Sequence, residues 1–94
     1  MWDVTEVTPL EGYNLRLRFE DGLAGVVNLG QIIDRFDGVF APLQDLEYFR
    51  QVSVDPEIGT IVWPNGADVC PDVLYSHASG KPIVFDDEPV FSIR

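Results

Sequence analysis

The chain has 94 residues, 46% of them hydrophobic and 12% aromatic, so it has the material for one modest core and no room for a second domain. Sixteen acidic residues against six basic ones give a formal charge of −10, which repels phosphate backbones and anionic membrane surfaces and argues against direct nucleic-acid binding. A single Cys forms no intramolecular disulfide, no cationic stretch followed by an apolar run opens the chain, and no apolar run approaches a membrane span. The expectation is one cytoplasmic domain over residues 1–94 with no membrane partner.

Residues 3–8 read as a first strand, in which Val4 and Val7 fall out of phase. Either a bulge intervenes, or Trp2 and Val4 face one side and Val7 the other. Pro9-Leu10-Glu11-Gly12 makes a turn. Tyr13, Leu15, Leu17 and Phe19 then alternate with Asn14, Arg16 and Arg18, the period-2 pattern of a half-buried antiparallel strand. Glu20-Asp21-Gly22 is a hairpin turn, with Gly22 free to take the positive φ it needs. Residues 23–28 return as a third strand, with Leu23, Gly25 and Val27 on one face and Ala24 and Val26 on the other.

Leu29, Ile32, Ile33 and Phe36 have helical spacing, which predicts a short helix over residues 29–36. Gly38-Val39-Phe40-Ala41-Pro42-Leu43 reads as an irregular apolar connection tucked under the sheet. Asp45 caps or opens a second helix with Leu46 and Phe49 facing inward. Residues 52–54 and 60–63 flank Asp55-Pro56-Glu57-Ile58-Gly59, which has the residues of a hairpin loop. Pro71 suits the first position of a third helix, where its missing N–H costs nothing. Val73, Leu74, His77 and Ala78 form a narrow stripe on that helix, and Ser79-Gly80-Lys81-Pro82 stops it. The tail, residues 81–94, runs apolar, acidic, apolar around Asp86-Asp87-Glu88-Pro89. That pattern predicts two short strands added to a sheet edge of this molecule or of a second copy, the latter giving a swapped homodimer. The predicted fold class is α+β: an antiparallel meander sheet of about five strands with three short helices on one face.

Four blocks carry a resemblance. They are Val7-Thr8-Pro9-Leu10, Leu17-Arg18-Phe19-Glu20-Asp21-Gly22, Val39-Phe40-Ala41-Pro42-Leu43, and Ile61-Val62-Trp63-Pro64-Asn65-Gly66-Ala67-Asp68-Val69-Cys70-Pro71. In them the chain resembles domain-of-unknown-function family 2442, small bacterial α+β proteins, over about residues 1–76, with the tail beyond the shared core. Some members look like the N-terminal half of proteins that carry a helix-turn-helix domain. Others are suspected antitoxins encoded beside a second uncharacterised protein. No helix-turn-helix half is present in these residues, so the DNA-binding role does not transfer.

The chemistry available in the chain is sparse. Cys70 before Pro71 lies near a helix N-terminus, where unpaired N–H groups and the dipole would activate a thiol. His77 is the one candidate base, but seven residues of helix rise about 10.5 Å, too far for a direct hydrogen bond. One Cys and one His with Asp68 or Asp72 nearby make an incomplete zinc set. Asp68 and Asp72 have a simpler use near the helix start, where negative charge is favourable. There is no phosphate-binding loop and no nucleophile elbow. No catalytic, metal or cofactor site is therefore expected, and the protein is not expected to be an enzyme. Trp63-Pro64-Asn65-Gly66 reads either as a core strand end with a turn or as a recognition edge. The leading expectation is a protein-binding module, the acidic antitoxin-like half of a bacterial two-protein pair, with a basic partner. The alternative is a small-molecule or sensory domain with a pocket near Trp63, Cys70 and His77. The candidate recognition or pocket residues are Trp63, Asn65, Asp68, Cys70 and His77.

Overall fold

A computed structural model of the chain describes residues 2–80, together with the backbone of two strands at 83–85 and 88–90. Strands β1 (Val4–Pro9), β2 (Asn14–Phe19) and β3 (Ala24–Asn28) form an antiparallel meander with β2 in the centre. The alternation read in β2 is realised: Leu15, Leu17 and Phe19 are fully buried, while Arg16 and Arg18 face solvent. Leu17 stands opposite Val7 on one side and Gly25 on the other.

The phase break in β1 is a bulge. Register slips between Val4 and Glu6, so Val4 pairs with Phe19 and Val7 with Leu17, and both valines reach the core side. Trp2 lies outside the core instead, stacked on Tyr75 with ring centroids 4.3 Å apart. Gly22 has φ 91° in the β2–β3 turn, whose Asp21 side chain accepts from the Leu23 N–H.

The expected five-stranded sheet is divided. Strands β4 (Ser53–Asp55) and β5 (Thr60–Val62) make a separate two-stranded sheet. It touches β1 through a hydrogen bond from the Val4 N–H to the Gly59 carbonyl. Gly59 sits at φ 72° with the Asp3 carboxylate 2.6 Å from where a Cβ would stand. At that φ and with that neighbour, the position has no room for a side chain. In the tail, β6 (Ile83–Phe85) and β7 (Glu88–Val90) pair with each other as a third, separate hairpin, not as an added edge of either sheet. The acidic residues Asp86 and Asp87 and the remainder of the tail lie outside the described residues.

The helices also depart from expectation. Helix α1 covers only Leu29–Ile32; its N-cap Asn28 accepts from the Gly30 N–H, and Ile33 is already extended. Gly30 and the β-branched pair Ile32-Ile33 are poor helix formers, and Ile33 is buried in the extended form without more helix. The apolar connection after α1, expected to be irregular, is a 3-10 helix, Gly38–Gln44. Its i to i+3 bonds run from the Phe40 N–H to the Asp37 carbonyl and from the Asp45 N–H to the Pro42 carbonyl. In such a helix residues three apart lie one above the other, and here Phe40 and Leu43 form the inward row.

Helix α2, Leu46–Phe49, is capped by the Asp45 side chain on the Glu47 N–H, as expected. Leu46, however, faces out: a single turn offers the core one position, and Phe49 fills it. Helix α3, Pro71–Ser79, starts at Pro71 and ends on left-handed Gly80. It lies over the core side of β3, where a Cβ on Gly25 would stand 3.0 Å from the Ala78 carbonyl oxygen. Seating the last turn through Ala78 turns His77 out to solvent, so the expected stripe reduces to Val73, Leu74 and Ala78. Among the described residues, no helix is long and apolar enough to cross a membrane.

Leu17→Ala removes a side chain with no exposed surface from the centre of the sheet, and is expected to cost about 2–5 kcal/mol. Urea unfolding checks it: the midpoint should fall with the slope unchanged. Tyr75 gives a second expectation. Its hydroxyl donates to Asp21 Oδ2 at 2.5 Å. That hydrogen bond, with partial desolvation and the Asp21 charge behind it, raises the phenol above its ordinary range. A raised pKa means the fold prefers neutral tyrosine, so this contribution is complete below about pH 10 and is lost as pH climbs through the folded value. The stability gap between the wild type and Tyr75→Phe, measured by urea unfolding across alkaline pH, should therefore be constant up to about pH 9 and shrink above about pH 10.

Candidate functional site

Two blocks of sequence that look unrelated meet at one place. After β5, Trp63 enters the core at 2% exposure and Pro64-Asn65-Gly66 turns the chain. The turn closes with bonds from the Gly66 N–H to the Trp63 carbonyl and from the Trp63 N–H to the Ala67 carbonyl, with Gly66 at φ 90°. Asn65 Oδ1 accepts from the Ala67 N–H at 3.1 Å, the local bond that makes asparagine a turn residue.

Both side chains then reach out of the turn. Trp63 Nε1 donates to the Phe49 carbonyl at 2.9 Å, at the end of α2. Asn65 Nδ2 donates to the Val39 carbonyl at 2.8 Å, near the start of the 3-10 helix. Residues 39–49 are thus held at both ends by one four-residue turn. Gln44 Nε2 on the Phe36 carbonyl and the Tyr13 hydroxyl on the Gln44 carbonyl fix the middle. The segment forms a pinned ridge. Its outer side carries Val39, 51% exposed, and Leu46, 42% exposed, along with exposed Ala41 and Pro42. Exposed Asp37, Asp45 and Glu47 border it. An apolar strip with an acidic rim on an immobilised backbone has the make-up of a protein contact surface.

The Trp63 ring is therefore core, as the strand-end reading of the turn has it, and the turn positions an exposed surface that it does not itself form. The other candidate residues lie elsewhere. Asp68 is exposed, and its backbone bridges Val62 beside β5. Cys70 is half-buried at the N-cap of α3; no side chain caps that helix end, and Asp72 is the acid of its first turn. The Thr60 hydroxyl on the Val69 carbonyl, 2.7 Å, holds the approach to the helix. His77 is exposed in the last turn of α3. Trp63 thus lies inside the core and His77 outside it. Among the described residues no group of three His, Cys, Asp or Glu side chains is placed to hold a metal ion.

Sequence reading missed the ridge. The spacing of Phe40 and Leu43, three apart with Pro42 between, is the signal that finds its 3-10 helix. Asn65→Ala should release one end of the ridge. Amides between 38 and 45 are then expected to exchange faster by roughly tenfold, while global stability falls by only about 1 kcal/mol. Hydrogen-exchange NMR distinguishes that local loosening from general unfolding.

A model of one protein family, described as Protein of unknown function (DUF2442), matches residues 4–80. No curated protein and no solved structure matches the chain. The matched span takes in both sides of the clamp, the 3-10 helix with α2 and the Trp63 turn, along with the three-stranded meander and α3. The chain belongs to the DUF2442 family of proteins of unknown function.

Proposed function

We propose that this domain is a non-enzymatic protein-binding module, the acidic half of an antitoxin-like pair, whose partner is a basic protein. One observation carries the reading: Val39 and Leu46 stand exposed on a ridge pinned at both ends, within an acidic rim of Asp37, Asp45 and Glu47. Leaving apolar side chains in water on a rigid segment has an energetic cost that a partner would remove. Rigidity also lowers the entropy lost on docking. A charge of −10 steers a basic partner toward the domain, and the apolar strip then sets how long it stays.

The test measures binding to a co-encoded basic protein. Leu46→Asp and Val39→Asp are expected to weaken affinity about tenfold each while leaving the melting temperature close to wild type, since both side chains are exposed. Association should slow as salt rises, because steering is screened over about 8–10 Å. A chain ending at Gly80 that binds as tightly as the full chain would keep the tail out of the interface. No binding at any salt would remove the reading. A rise in melting temperature with a small molecule, in the absence of protein partner, would favour the sensory alternative.

A further inference from the structure

The solvent face of the meander lies on the side away from the core and carries different chemistry from the rest of the molecule. Arg16 and Arg18 project from the central strand, with Glu6 and Thr8 beside them on β1 and Ala24 and Val26 on β3. These six side chains are exposed, and among the described residues no helix lies over them. A hollow of about 220 Å³ opens there, lined by Glu6, Thr8, Arg16, Leu17, Arg18 and Ala24. The Leu17 side chain points into the core, so its main chain forms the floor.

The two guanidinium groups are engaged differently. Arg18 Nε lies 3.7 Å from Glu6 Oε1, a loose exposed pair of little energetic weight. The Arg16 guanidinium has no ion-pair or hydrogen-bond partner among the described residues. Its cross-strand neighbours are Thr8, a hydroxyl, and Val26, 55% exposed. Of the six cations in this chain of charge −10, two therefore share one strand face, with one carboxylate against them among the described residues and a hollow between.

We propose that this face binds an extended segment of a partner protein through one carboxylate side chain seated between Arg16 and Arg18. Arginine presents a planar fork that matches a carboxylate with two parallel bonds. The Thr8 hydroxyl can add a third, and Val26 with Ala24 gives the neighbouring residues of the segment an apolar track along β3. Charge selects against a polyanion: the acidic body repels a nucleic-acid strand, whereas one carboxylate in an otherwise uncharged segment meets only the local positive charge. A second copy of this chain fits poorly. The face spans roughly 300 Å² by strand spacing and rise, well under the ~800 Å² per partner of a stable dimer, and two bodies of charge −10 repel. The surface lies away from the 39–49 ridge and stands independently of the basic-partner reading.

Amide-resolved NMR titration of the full chain tests the inference with three probes: a capped threonine-rich peptide carrying one central glutamate, its counterpart with glutamine at that position, and succinate. The expected result is saturable shifts centred on residues 6, 8, 16, 18, 24 and 26 with the glutamate peptide. Affinity should drop about fivefold for the glutamine peptide and for Arg16→Gln, and recover partly in Arg16→Lys. Arg16 is exposed, so the variant folds, and its unchanged spectrum elsewhere verifies this. Unsaturating shifts, equal affinity in Arg16→Gln, or succinate binding as tightly as the peptide would each overturn the proposal.

Discussion

The buried ring of Trp63 is the joint on which the rest of the molecule depends. Its indole N–H must find an acceptor once it is buried, and the Phe49 carbonyl at the end of a one-turn helix supplies it. A helix of four residues has almost no stability of its own, because nucleation consumes what one hydrogen bond returns. Docking on Trp63 makes that turn permanent. From there a run of aromatic contacts crosses the protein: Phe49 lies 5.8 Å from Trp63, Tyr13 meets Phe49 edge-on at 4.9 Å, and Phe36 lies 4.8 Å from Tyr13. The smaller sheet, the helical ridge and the start of β2 are tied through these four rings. At the other end of β2, Phe19 meets Tyr75 edge-on, and Tyr75 carries Trp2. The central strand is thus clamped at both ends by aromatic groups drawn from distant parts of the chain.

How much of this was legible depended on whether local pattern or distant packing decided the outcome. The alternation from Tyr13 to Phe19, the Gly22 turn, the Pro71 start and the Gly80 stop are local, and each forms where the residues place it. The α+β class follows from them. Whether β4 and β5 extend the meander depends on contacts between distant segments. Among the described residues they meet β1 through the bond from the Val4 N–H to the Gly59 carbonyl and do not continue its ladder, and neither fact leaves a mark on periodicity. Helix lengths failed for a related reason. Leu29, Ile32, Ile33 and Phe36 have helical spacing, yet all four reach the core from one turn plus an extended segment, and burial does not distinguish the two routes.

The candidate site was legible in its parts and not in its assembly. Trp63 and Asn65 stood out as residues of a special turn, which they are. That they grip Val39 and Phe49 could not be read, because the hydrogen bonds span 26 and 14 residues and end on backbone carbonyls that carry no side-chain signature. Cys70 and His77 are the one thiol and the one imidazole in the chain. Their environments are ordinary: a half-buried helix cap and an exposed last turn. Scarcity of a residue type says nothing about its surroundings.

Charge is arranged in the fold on a simple geometric basis. A strand in a one-sided sheet must alternate, so every apolar residue that β2 gives to the core obliges it to show the next one to water. Two of the three outward positions of β2 are the arginines Arg16 and Arg18, and those of β1 include Glu6 and Thr8. The acids Asp37, Asp45 and Glu47 instead stand on the helical segment and its approach, where Asp45 also caps α2. The two open surfaces therefore differ in sign because they are built from different elements. The meander face derives its positive character from the polar phase of a strand, and the ridge derives its negative rim from residues that start short helices. A change of register in β2 would bury both arginines and expose Leu15, Leu17 and Phe19 together, so the charge of that face is fixed as firmly as the core behind it.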